Sequence, residues 1–228
     1  MEKSSRLYAE PRIFSSPPPM AGCRRTCSTV SQYGSPGAPD AGPVGTVVNE
    51  VLERTRGDLV ATAFVEQWWA DAAAFEAWAA GAGVASGAAG VPGDPYWLTV
   101  EHVLRQPAIG GGELKILGSA YKRDDFSTDA FFAYWRDVHG PISARAPGLR
   151  GYVVSEVLRP LRGTLHADGF VEQWWPDAAV LDAANGSPEV AVAWADVANY
   201  AETTGTFWLV REHVLAAPAI GRGSLEDA

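Results

Sequence analysis

The sequence predicts an α+β protein built from two tandem ferredoxin-like units of the order β-α-β-β-α-β, the first of them incomplete. An internal repeat, a run of strand-like and helix-like segments in the second half, and an irregular leader together predict it. Phe64-Val65-Glu66-Gln67-Trp68-Trp69 recurs as Phe170-Val171-Glu172-Gln173-Trp174-Trp175, an offset of 106 from residue 66 to residue 172. At that offset Val47-Val48-Asn49-Glu50-Val51-Leu52 aligns with Val153-Val154-Ser155-Glu156-Val157-Leu158. Trp97-Leu98 and Glu101-His102-Val103-Leu104 align with Trp208-Leu209 and Glu212-His213-Val214-Leu215 at an offset of 111, so an insertion or deletion separates the blocks. Both units close on Pro-Ala-Ile-Gly, at 107–110 and 218–221. Two copies are too few for an open repeat array and are expected to pack on each other as a pseudo-dimer.

In the second unit, 113–223, residues 115–122 have the short apolar character of a first strand. Ser127 is a fair N-cap, with Asp129 in the first turn of the helix that follows. Phe131, Trp135, Val138 and Ile142 recur at helical spacing and predict its apolar face. Gly140-Pro141 should kink or end it, because proline lacks an amide hydrogen and restrains its predecessor. Strands are expected at 151–158 and 169–175, a helical region at about 177–200 broken at Asn185-Gly186, and a last strand at 207–215.

The first unit, 33–112, is degenerate. Tyr33-Gly34 stands where His139-Gly140 stands in the second, and residues 79–90 are almost wholly Ala and Gly. Residues 1–32, rich in Pro, Ser and Arg, are expected to be an irregular or disordered leader, and 224–228 a tail. The abrupt loss of similarity upstream of Tyr33 is what a frameshift or a mis-chosen start would produce.

The 18 Lys+Arg against 27 Asp+Glu give a net charge of −9, which repels phosphate backbones and anionic lipid. No stretch approaches the roughly 20 apolar residues that span a bilayer, and the N-terminus lacks a charged-then-apolar signal pattern. A cytoplasmic protein that binds neither nucleic acid nor membrane is expected. Cys23 and Cys27 lack the second pair or histidines of a zinc site. No Gly-rich dinucleotide loop, nucleophile elbow or metal cluster is visible, so no cofactor is expected. Nine tryptophans suit thick cores or pockets for aromatic ligands.

Tyr121-Lys122-Arg123, followed by Phe131-Phe132-Ala133-Tyr134-Trp135-Arg136-Asp137-Val138-His139-Gly140-Pro141, resembles the signature of the EthD family, as do Asp168 to Trp174 and Glu212-His213-Val214. The resemblance covers 113–223 well and 33–112 partially. It implies a dimeric α+β barrel in which two four-stranded sheets meet back to back, here both from one chain, with further homodimerisation open. It also implies a pocket between sheet and helices, and an apolar or aromatic, polyketide-like or xenobiotic small molecule, often with a monooxygenase as partner. Oxidation, cyclisation and decarboxylation stay open, and so does the alternative of a non-catalytic accessory protein that holds a hydrophobic metabolite for an oxygenase.

His139 is the candidate general acid/base, since an imidazole titrates near neutrality and moves a proton in either direction. Trp135, four residues earlier, shares its helical face. The alternative for His139 is a helix C-terminal cap. Tyr121, Tyr134 and Tyr152 are candidate phenol donors to a substrate, or packing aromatics. Glu172, Trp174 and His213 are further pocket candidates. Their repeat at Glu66, Trp68 and His102 also suits a structural duty, with hydrogen bonds across the seam between sheets. Alternation puts Phe170, Glu172 and Trp174 on one strand face and Val171, Gln173 and Trp175 on the other, leaving open which lines the pocket.

Overall fold

A computed structural model of the chain describes residues 10–12, 28–32, 43–69, 74, 75, 77, 78, 95–162 and 165–217. Its strands are β1 (Glu10–Arg12), β2 (Ser28–Gln32), β3 (Gly45–Arg56), β4 (Ala63–Trp69), β5 (Tyr96–Arg105), β6 (Leu114–Ala120), β7 (Gly151–Arg162), β8 (Gly169–Trp175) and β9 (Phe207–Ala216). Between β6 and β7 lie α1 (Thr128–Tyr134), a π-helical turn (Trp135–His139) and α2 (Gly140–Ser143). Between β8 and β9 lie α3 (Ala178–Asn185) and α4 (Pro188–Val197), separated by the expected break after Asn185.

The fold is α+β, with the strands joined in the order β1-β5-β2-β4-β3-β9-β6-β8-β7 and an additional β5–β7 pairing. β5 pairs with β7 along one edge and with β1 and β2 end to end along the other. Eight strands therefore return on themselves as a barrel, which removes open sheet edges. Within it, β9-β6-β8-β7 is the ferredoxin-like order of a sheet whose strands run β6, β7, β8, β9 in sequence. The order β5-β2-β4-β3 repeats that pattern.

The leader departs from its expected irregularity by supplying β1 and β2. β2 occupies the place that β6 holds in the other sheet, but in the opposite direction. β6 is antiparallel to both neighbours, whereas β2 is parallel to β4 and β5. Vacant hydrogen-bonding edges on β4 and β5 accept either direction, so a segment unrelated in sequence can fill the gap. Cys23, Cys27, Tyr33, residues 79–90, the second Pro-Ala-Ile-Gly and the tail lie outside the described residues.

The two faces of each repeated strand serve different cores. Phe64 and Phe170 point into the barrel, where they meet Trp208 and Trp97 at ring distances of 4.7 and 5.1 Å. Burying each such ring contributes roughly 1.5–3 kcal/mol. Between these aromatics lies Lys115, fully buried, its ammonium 2.6 Å from Glu66, 2.5 Å from Glu172 and 3.3 Å from Glu212. Burial alone would push its pKa down, but Glu172, Glu66 and Glu212 outweigh that and hold it above the ordinary lysine value. Asn49 donates to Glu66 at 2.8 Å, and Trp68 donates to Glu101 at 3.1 Å. Matched His–Glu contacts cross the two seams, His102 to Glu156 at 3.4 Å between β5 and β7 and His213 to Glu50 at 3.0 Å between β3 and β9.

Replacing Lys115 with Met removes its ammonium from this cluster while leaving Glu66 and Glu172 buried. Urea unfolding should show a loss on the order of 3–5 kcal/mol. Deleting residues 1–32 removes β2 and leaves β4 and β5 with unpaired edges. The melting temperature should fall by roughly 5 °C or more, and light scattering should show association through the exposed edge.

Candidate active site

The helical segment after β6 begins where the Ser127 hydroxyl accepts from the Ala130 amide at 3.2 Å. Its aromatic face reaches the sheet because β8 begins with a glycine: a Cβ on Gly169 would lie 2.9 Å from Phe132 and 3.0 Å from Trp135. Gly140-Pro141 does not end this segment. The helix widens into one π turn, in which the Gly140 amide donates to the Trp135 carbonyl, and continues as α2. Widening shifts the inward register by one residue. The buried face becomes Phe131, Trp135, His139 and Ser143, while Val138, expected inside, is exposed and Ile142 only half-buried. Single π turns of this kind recur at functional sites.

His139 is 6% exposed, and its side chain makes no capping hydrogen bond to a helix end. Its Nδ1 lies 3.0 Å from Asp196 Oδ2 on α4, and its Nε2 lies 2.8 Å from Ser143 Oγ. Burial pushes its pKa below the ordinary value, with the hydrogen bond and charge of Asp196 opposing. Asp196 Oδ1 accepts from the Tyr134 hydroxyl and the Asn199 amide, each at 2.9 Å. Burial would raise the Asp196 carboxyl, but hydrogen bonds from Asn199, His139 and Tyr134 hold it below the usual range. The Tyr152 hydroxyl accepts from the Trp135 indole at 3.2 Å, contacts Ser143, and is pushed up to about 12 by burial. Tyr200 lies 5.0 Å from the His139 ring, and burial raises its phenol as well.

These groups border a cavity of about 680 Å³ between the outer face of β6-β8-β7 and the helices, within the range of small-molecule pockets. Its floor includes Ile116, Val171, Gln173 and Trp175, and α3 and α4 contribute Leu181, Val190 and Ala193. At one side Arg56, from β3 of the other sheet, stacks over Trp194 at 4.6 Å and donates to the Thr203 carbonyl.

Of the residues singled out from the sequence, His139, Trp135 and Tyr152 line this cavity together. Tyr134 stands behind them, holding Asp196. The other four face elsewhere. Glu172 and Trp174 lie on the barrel side of β8, Glu172 in an ion pair with Lys115 and Trp174 with its ring 4.6 Å from the ammonium. Tyr121 packs beside the barrel cluster and against His166, and His213 is 49% exposed against Glu50. Lys115 decides the face of β8, since its charge holds Glu172 inward. The sequence reading missed Ser143, Asp196, Asn199 and Tyr200. Spacing of four from His139 would have marked Ser143 had the helix been carried through Pro141. Nothing local marks Asp196. Among the described residues, no group of His, Cys, Asp or Glu is placed to hold a metal ion, and no helix is long and apolar enough to cross a membrane.

Residues 123–204 match the family model of the EthD domain. A comparison with curated proteins finds no match. Among solved structures, the chain resembles an anthrone oxidase-like protein (TM-score 0.57, 14% identity, covering 90% of this chain and 93% of the other). It also resembles a proposed monooxygenase from Fusobacterium nucleatum (TM-score 0.54, 8% identity, covering 91% and 95%). An EthD family protein from Bacillus halodurans matches at TM-score 0.36 and 20% identity, covering 45% of this chain and 95% of its own. At these identities the likenesses to the anthrone oxidase-like protein and the proposed monooxygenase show the fold alone.

The depressed pKa of His139 has a stability consequence. Below about pH 6.5 the unfolded chain takes up a proton that the folded site resists, so the contribution is full above that pH and is lost as pH falls toward the folded value. Asp196, also held low, loses its contribution only at more acid pH. Thermal unfolding should therefore show stability declining from pH 7 to 5.5, with a shallower decline in His139→Gln.

Proposed function

We propose that the protein is a small-molecule enzyme that works by proton transfer on an apolar, aromatic compound held in the cavity between sheet and helices, a reading supported by the match of residues 123–204 to the EthD domain model. The observation that carries this reading is His139 in the cavity wall, buried, hydrogen-bonded on both ring nitrogens and backed by a carboxylate. A ring held neutral by burial is ready to accept a proton, and Asp196 stabilises the imidazolium that results. Aromatic and aliphatic walls favour a flat apolar ligand, while Gln173, Ser143 and Tyr152 supply a few polar contacts that can orient it. The reaction needs no cofactor in this reading. Oxidation is the reaction class in the name of the anthrone oxidase-like neighbour, and deprotonation of an aromatic hydroxyl is a fitting first step for oxidation, cyclisation or decarboxylation alike.

A panel of hydroxylated aromatics screened by tryptophan quenching and then for turnover would identify a substrate. His139→Gln should then lower kcat about a hundredfold to ten-thousandfold, with ligand affinity nearly unchanged. Asp196→Asn should lower kcat in the same direction by leaving the imidazolium without its counter-charge. Turnover that survived His139→Gln within a fewfold would favour an accessory protein that holds a metabolite for a partner oxygenase.

A further inference from the structure

The hydrogen bonds around His139 run in one direction, because the group at their end can only accept. The Trp135 indole can only donate, so the Tyr152 oxygen accepts from it at 3.2 Å. The Asp196 carboxylate can only accept, and its Oδ2 takes the hydrogen of His139 Nδ1 at 3.0 Å. A neutral ring protonated at Nδ1 has a lone pair at Nε2, so Ser143 Oγ, 2.8 Å away, donates to it. Tyr152 stands beside Ser143 in the cavity wall. The protons of this short chain point from Ser143 through His139 toward Asp196. Both nitrogens of His139 are occupied, so a ligand in the cavity meets the base through its neighbours.

We propose that His139 exchanges protons with a cavity-bound substrate through Ser143, and that the substrate presents an acidic hydroxyl, a phenol or an enol, to Ser143 beside Tyr152. This rests on the functional reading above and specifies its chemistry. As the substrate O–H bond breaks, its proton passes to Ser143 Oγ while the Ser143 hydroxyl proton moves to His139 Nε2. The electron pair stays on the substrate oxygen as a phenolate or enolate, and the positive charge rests on an imidazolium beside Asp196. No oxidant or reductant enters this step. Tyr152, held neutral by burial, keeps its proton. The titratable groups facing His139 are Asp196 from α4, Tyr200 just beyond it, Tyr134 from α1 and, through Ser143, Tyr152 from β7. Ser143 is on this account a catalytic residue, since it takes the substrate's proton as it gives its own to the base.

The test uses 4-nitrophenol, whose anion absorbs in the visible, with the full chain. Bound to wild type, the dye should ionise at a pH lower than free dye by about one unit, because the Ser143 hydroxyl, released from His139 Nε2 when the ring takes the proton, donates to the anion. Ser143→Ala should abolish that shift while low-pH affinity for the neutral dye stays within about threefold, and near-ultraviolet circular dichroism should report unchanged packing. Ser143→Thr, which restores a hydroxyl, should restore the shift. His139→Gln should abolish it in every background. If Ser143→Ala keeps the shift and His139→Gln removes it, the relay is overturned and the functional reading stands. If both variants keep it, both are overturned. Failure of the dye to enter, judged by its indifference to the cavity-filling Ala193→Trp, overturns the substrate class. A 4-nitrophenolate burst from 4-nitrophenyl acetate with acylation of Ser143 would make Ser143 a nucleophile and overturn the relay.

Discussion

A lysine ammonium with no solvent contact costs several kcal/mol to bury unless carboxylates surround it, and Lys115 meets that condition only because three strands deliver glutamates to one point. Glu66 comes from β4, Glu172 from β8 and Glu212 from β9. Both copies of the Phe-Val-Glu-Gln-Trp-Trp motif must therefore turn Phe, Glu and the first Trp inward. Side chains alternate along a strand, so the opposite face of each motif is set by the same requirement. On β8 that opposite face is Val171, Gln173 and Trp175, the cavity floor. A slip of one residue would strip Lys115 of its partner and drive a glutamate under the helices. The charge cluster inside the barrel thus defines the floor of the cavity outside it.

Closure of the barrel depends on the same register. The seams β3–β9 and β5–β7 are long and antiparallel, and each carries a matched His–Glu contact, so the repeated histidines join one half of the sheet to the other. The one position that breaks the pattern is that of β2, whose reversed direction shows that the gap between β4 and β5 needs backbone hydrogen bonds more than a particular sequence. The cavity also draws on both halves, because β3 extends far enough for Arg56 to reach its wall.

The helical face of the site answers to the sheet beneath it. Gly169 lets Phe132 and Trp135 lie on β8, and the π turn rotates His139 and Ser143 toward the cavity. With α4 packed across from them, Asp196 meets His139 from the other side. Asp196, a pure acceptor, then leaves the imidazole and the Ser143 hydroxyl one arrangement of protons. A buried polar chain so satisfied is rigid, which suits a group that must hold a proton at a defined atom.

The sequence by itself determined the α+β class, the repeat, the span 169–175 of β8 and the helix break after Asn185, because each is written in local periodicity, capping and turn chemistry. The Ser127 cap and Asp129 in the first turn were legible for the same reason. His139, Trp135 and Tyr152 could be read as site residues from their chemistry and from the family resemblance. Tertiary structure alone decided which strand face lines the cavity, since Lys115 and Glu172 lie on different strands. It decided the helical register, because a π turn through Gly140-Pro141 is stabilised by packing on the sheet rather than by propensity. It also decided the partner of the base: Asp196 is 57 residues from His139 in sequence, and only the packing of α4 over the sheet brings carboxylate and imidazole to 3.0 Å.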